Sequence, residues 1–131
     1  VPIATPPVRH SRPGSTKVLY LDFNGHTITG TAWNGTVTTY VALPLDTDST
    51  PTTFSDAEQA VIIQVWERVA EDYAAFDVDV TTEEPATFTS TTGRAVITRN
   101  VDANGVNMPS SGAGGVAYIS VFGQSNSSRP L

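Results

Sequence analysis

Two histidines, no cysteine and a scatter of carboxylates limit the chemistry this chain can attempt. His10 and His26 stand sixteen residues apart, so no His-x-x-x-His pair sets two imidazoles one helical turn apart on a metal ion. The lack of cysteine removes disulfides, thiolate zinc sites and cysteine nucleophiles together. His26 follows the turn-forming pair Asn24-Gly25 and reads either as a residue lining a site or as a surface histidine. His10 lies in a proline-rich stretch and carries less. No G-x-S-x-G elbow is present, and Ser55 is explained as a helix cap, which argues against a serine hydrolase.

The carboxylates allow three further readings. Asn100-x-Asp102-x-Asn104-Gly105 alternates oxygen donors ahead of a glycine, as a calcium loop does, because a hard cation needs several oxygens gathered by a sharp turn. Position twelve of that run is Ser111 where an EF-hand has glutamate, so a calcium site of another kind at Asn100, Asp102 and Asn104 competes with a plain polar turn. Asp77 and Asp79 fall on one side of a strand and, with Glu83 or Glu84, could hold a cation; a solvated strand face is the plainer reading. Asp22 with Asp77 or Asp79 would give the carboxylate pair of a glycosidase, a reading that depends on a separation the sequence does not supply.

The elements that would position these residues are legible in part. Residues 1–16, with Pro2, Pro6, Pro7 and Pro13, predict an extended lead segment, and residues 17–131 the folded part. Val18 to Phe23 is apolar apart from Asp22, which predicts a buried strand, and Val37 to Leu43 predicts a second one ending at Pro44. Ser55-Asp56-Ala57-Glu58 is a capping box. Behind it Ile62, Val65, Trp66, Val69, Tyr73 and Phe76 recur at steps of three and four, predicting a helix of about five turns with one apolar face. Strands are expected at Val78 to Thr81, Arg94 to Thr98 and Val116 to Val121, the last two separated by a Gly-, Asn- and Ser-rich loop. A strand, a helix and further strands together predict a mixed sheet packed on a helix.

Composition excludes several classes. At 131 residues and 39% hydrophobic, the chain is the size of one domain able to bury a core. Seven scattered Lys and Arg within a net charge of -6 argue against a nucleic-acid groove, and no apolar run reaches the ~18 residues of a membrane span. Abundant Thr, Ser, Gly and Pro with little Lys suits an exported protein. Asn34-Gly35-Thr36 and Asn126-Ser127-Ser128 match the N-glycosylation triplet, a pattern frequent by chance in such a composition.

Three segments, Leu19-Tyr20-Leu21-Asp22-Phe23-Asn24-Gly25-His26, Trp66-Glu67-Arg68-Val69-Ala70-Glu71-Asp72-Tyr73 and Gly114-Gly115-Val116-Ala117-Tyr118-Ile119-Ser120, together resemble the first half of a secreted, metzincin-type zinc metallopeptidase domain of the reprolysin-like kind. The resemblance spans roughly residues 17–122. It implies an α/β (mixed α+β) fold: a zincin-like N-terminal subdomain with a twisted mixed β-sheet backed by one long helix. In that family the fourth strand of the sheet is an antiparallel edge on the rim of the cleft, matched here by Gly115 to Val121. The resemblance therefore assigns substrate alignment to the backbone of Gly115, Val116, Ala117 and Tyr118, with an extended peptide adding to the edge. The family's fifth strand lies between the third and fourth in space, so the sheet is expected to be incomplete in this chain.

The family's zinc motif, H-E-x-x-H-x-x-G-x-x-H, does not occur here, and neither His10 nor His26 fits it. The resemblance thus implies zinc in a complete enzyme with ligands outside this chain, a peptide or protein substrate, and its own C-terminal half as a candidate partner chain. This chain by itself is expected to cleave nothing. The rival reading is a secreted, non-catalytic binding or adhesion module built on a peptidase-like sheet.

Overall fold

The computed structural model describes residues 1–117. Among the described residues six elements follow one another: β1 (Val18–Asp22), β2 (His26–Thr29), β3 (Thr39–Ala42), α1 (Asp56–Asp72), β4 (Asp79–Thr81) and β5 (Thr92–Val96). The architecture is mixed α/β, as the sequence predicts, with a three-stranded parallel sheet, an antiparallel pair and one helix.

β1 is the middle strand of the parallel sheet, in the order β4-β1-β5. Its apolar content fits a strand covered on both faces. Val18 lies opposite Asp79 of β4, and Tyr20 lies opposite both Thr81 of β4 and Arg94 of β5. Alternation then sorts the side chains. Leu19, Leu21, Val80 and Ala95 face α1 and pack with Ile62, Val65, Trp66 and Val69. Tyr20, Asp22, Thr81, Arg94 and Val96 face the opposite way.

The capping box forms as expected: the Ser55 hydroxyl accepts from the Glu58 amide, and the Glu58 carboxylate accepts from the Ser55 amide. Glu58 also accepts from the backbone and hydroxyl of Thr47, which ties the preceding loop to the helix start and holds its carboxyl below the usual range. Further along, the Trp66 indole donates to the Val80 carbonyl at 2.7 Å and fixes α1 across β4.

The far end of the helix departs from the periodicity. Tyr73 and Phe76 continue the apolar spacing, yet α1 stops at Asp72, Tyr73 caps it, and the two residues are 39% and 60% exposed. Glu71 and Asp72 put negative charge at the negative end of the helix dipole with no basic residue to offset it, so the last turn is closed by the Tyr73 amide and the chain turns away. The aromatic pair rests edge to face, 6.3 Å apart, outside the core.

β3 falls within the strand expected over Val37 to Leu43, and it pairs with β2, which the sequence did not reveal. Gly25 permits the turn that precedes this hairpin. Its φ is +84°, and a Cβ there would lie 2.7 Å from the Ala42 carbonyl. β5 begins two residues earlier than the expected Arg94 to Thr98. Of the strand expected over Val116 to Val121, only Val116 and Ala117 are described; both are exposed and irregular, and the rest lies outside the described residues.

Candidate functional site

Asp22 ends β1, His26 opens β2 and Arg94 sits in the middle of β5, so the parallel register and the Asn24-Gly25 turn bring three residues distant in sequence to one place. With Glu84 they line an open cleft of about 540 Å³, closed at the side by Asn24, Thr27, Val41 and Ala42. The cleft lies beside the carboxyl end of β1, where open parallel sheets usually bind ligands.

Arg94 organises the site. Its side chain is only 9% exposed. One terminal nitrogen donates to Glu84 at 2.6 Å and the other lies 2.8 Å from His26 Nε2. The guanidinium stands over the ring of Phe88 at 4.4 Å and that of Tyr20 at 5.5 Å, and those rings meet edge to face. Its Nε is 3.2 Å from Asp22 Oδ2, close enough for an ion pair but misaligned for a hydrogen bond, so this buried N–H has no acceptor among the described residues.

The charges respond to this packing. Burial pushes the Asp22 carboxyl up to about 6, against the pull of Arg94 and the Asn24 amide. Tyr20 is raised by burial and by the Asp22 charge. Burial, and then the Arg94 cation, holds His26 below its ordinary value. Arg94 Nη1 lies 2.8 Å from Nε2 and 3.2 Å from Nδ1 of His26, so the guanidinium rests against the imidazole ring and contacts both of its nitrogens. The cleft can hold a hydrogen-bonding polar group, and Asp22 can exchange a proton near pH 6.

These residues do not fit a zinc ion. His26 faces a guanidinium that repels a second cation, and both ring nitrogens of His10 already meet carboxylates, Asp79 at 2.7 Å and Glu83 at 2.9 Å.

The other expected groupings are dispersed. Asp79 lies opposite Val18 and Asp22 ends the same strand, about 13 Å away by strand rise, so they form no glycosidase pair. Asp77 accepts from Ser15 and pairs with Arg12, Asp79 and Glu83 bond His10, and Glu84 bonds Arg94. No cation site assembles from those four. In the loop after β5, Asp102 is 4% exposed and its oxygens accept from the amides of Val41, Asn104 and Val106, which holds its carboxyl below the usual range. Asn104 is exposed, and Asn100 offers its backbone carbonyl to Met108. Through the Val41 amide Asp102 ties the loop to β3.

Gly115, Val116 and Ala117 are exposed and lie in no strand, and Tyr118 is outside the described residues. Asp46, Asp48 and Glu58, which the sequence reading did not group, bring ligand oxygens within 4.8 Å of one another. That acidic cluster carries no preference for a particular metal, and its oxygens already accept from Thr47, Asp48, Thr50 and Ser55. Arg94 was also missed; a lone arginine in Thr92-Gly93-Arg94-Ala95-Val96 gives no local sign of what lies across the sheet.

No protein-family model matches this chain, and neither the curated proteins nor the solved structures contain a match.

Proposed function

We propose that this chain is the sheet-and-helix part of a secreted, zinc-dependent metalloendopeptidase of the metzincin type, with the zinc ligands and the catalytic glutamate supplied by polypeptide outside residues 1–131. The observation that carries the reading is the edge of β5, which is open among the described residues. The order is β4-β1-β5, all parallel with α1 packed on one face, and among the described residues no strand pairs with the far side of β5. That is the side on which the resemblance calls for one more strand.

The alternation of a parallel ladder makes this testable. Val18 donates to Thr91 and Asp22 accepts from Ile97, so the amides of Arg94 and Val96 point away from β1. In the chain alone these two exchange hydrogen rapidly while Ala95 and Ile97 are protected. In the longer product of the same reading frame all four are protected. Equal exchange of Arg94 and Val96 in both proteins sinks the reading. The polar cleft at Arg94 is the observation that favours the rival binding module, and that module leaves the β5 edge unpaired in both.

A further inference from the structure

Residues 7–12 of the lead segment run antiparallel along β4 and meet it in an isolated bridge between His10 and Thr81. Ser11 donates from its amide to the Val80 carbonyl and accepts at its hydroxyl from the Val80 amide, and Thr82 donates to the Arg9 carbonyl. The Thr82 hydroxyl accepts from the Arg9 amide and donates to the Pro7 carbonyl. This strap covers the edge of the sheet opposite β5. Its one side-chain clasp to two separate carboxylates is His10: Nδ1 lies 2.7 Å from Asp79 Oδ2 and Nε2 lies 2.9 Å from Glu83 Oε2.

Carboxylates only accept, and a neutral imidazole has a single N–H. Both bonds can therefore exist together only when His10 is the imidazolium. Once neutral, the ring turns a lone pair toward one of the two anions and that contact becomes repulsive. We propose that residues 7–12 form a releasable strap whose latch is the doubly bonded His10 imidazolium, closed in acid and loosened when the ring loses its proton.

The other charges nearby do not replace it. Asp79, at the start of β4, also accepts from the Arg12 amide; Arg12 pairs with Asp77; and the Arg9 guanidinium donates to the Val8 carbonyl. The hydrogen bonds that His10 donates to Glu83 and then to Asp79 raise its value above the ordinary 6.5. A histidine raised on closing stabilises the closed strap fully below its open-state value. That contribution is lost as pH rises through the closed-state value. Loosening would uncover Asp79, now 5% exposed, together with the backbone edge of β4.

Amide hydrogen exchange and His10 ring shifts, followed by NMR from pH 5 to 9 on the intact chain, test the latch. After correction for intrinsic rates, the Ser11 and Thr82 amides should lose protection as His10 titrates, while Val18 and Ile97 keep theirs. The loss should be tenfold for each pH unit by which the His10 midpoint exceeds 6.5. His10→Gln should abolish the pH dependence at Ser11 and Thr82 while the Val18 and Ile97 amides report an intact sheet. Protection that stays constant through the His10 titration, or that remains pH-dependent in His10→Gln with the sheet intact, overturns the proposal.

Discussion

Burying Asp22 against Arg94 has a measurable consequence for stability. The Asp22 carboxyl titrates at about 6 in the fold against 3.8 as its ordinary value, with burial the larger cause and Arg94 opposing it. At about 1.4 kcal/mol for each tenfold step in proton affinity, that gap corresponds to about 3 kcal/mol. The open cleft beside Asp22 admits solvent, and screening reduces the figure to about 2 kcal/mol. Because the folded value lies above the unfolded one, the folded protein holds the extra proton between about pH 4 and 6. Stability from Asp22 is therefore fullest below pH 4 and declines as pH rises through that window. Asp22→Asn keeps the shape and an acceptor for the Asn24 amide but cannot titrate. Urea unfolding of both proteins from pH 4 to 7, followed by tryptophan fluorescence, isolates the term, since the remaining groups titrate in each. Relative to the variant, the parent should lose about 2 kcal/mol across that range. A flat difference, or one that rises with pH as for an aspartate depressed by its ion pair, would refute the argument that burial outweighs Arg94.

The packing makes two further predictions. Ile62 is fully buried between Leu21, Phe23, Phe54 and Val80, so Ile62→Ala should cost about 3 kcal/mol in urea unfolding; a loss under about 1 kcal/mol would mean that the α1–sheet interface is not the main core. Gly25→Ala forces a side chain into a left-handed turn and against the Ala42 carbonyl, and should cost more than about 1 kcal/mol while shifting the amide resonances of His26 and Thr27. Unchanged stability would show that the hairpin can move aside.

What could be read from the sequence was what short-range chemistry determines. Ser55 and Glu58 bond each other three residues apart, so the start of α1 is written locally; its end depends on Glu71 and Asp72 outweighing the apolar spacing of Tyr73 and Phe76. The apolar run of β1 identified a buried strand, whereas β2 has only four residues and owes its place to pairing across a loop with β3. Asp22 and His26 were visible as candidates, but the group that joins them is Arg94, brought alongside by parallel pairing with Tyr20 more than seventy positions earlier. His10 was set aside as part of a proline-rich lead, and its two carboxylate partners lie 69 and 73 residues away. The run around Asp102 shows the residue types of a calcium loop, but no side-chain motif records the backbone amides of Val41, Asn104 and Val106 from which Asp102 accepts.

The claim that this chain is the sheet-bearing part of a zinc peptidase is tested most directly by metal analysis and peptide hydrolysis on the protein made from the reading frame carried on past Leu131. The expected result is an H-E-x-x-H within the next several dozen codons, one zinc per molecule, and hydrolysis that a chelator abolishes and added zinc restores. A frame that encodes no such motif, or a folded product that holds no zinc and cleaves no peptide, would contradict it.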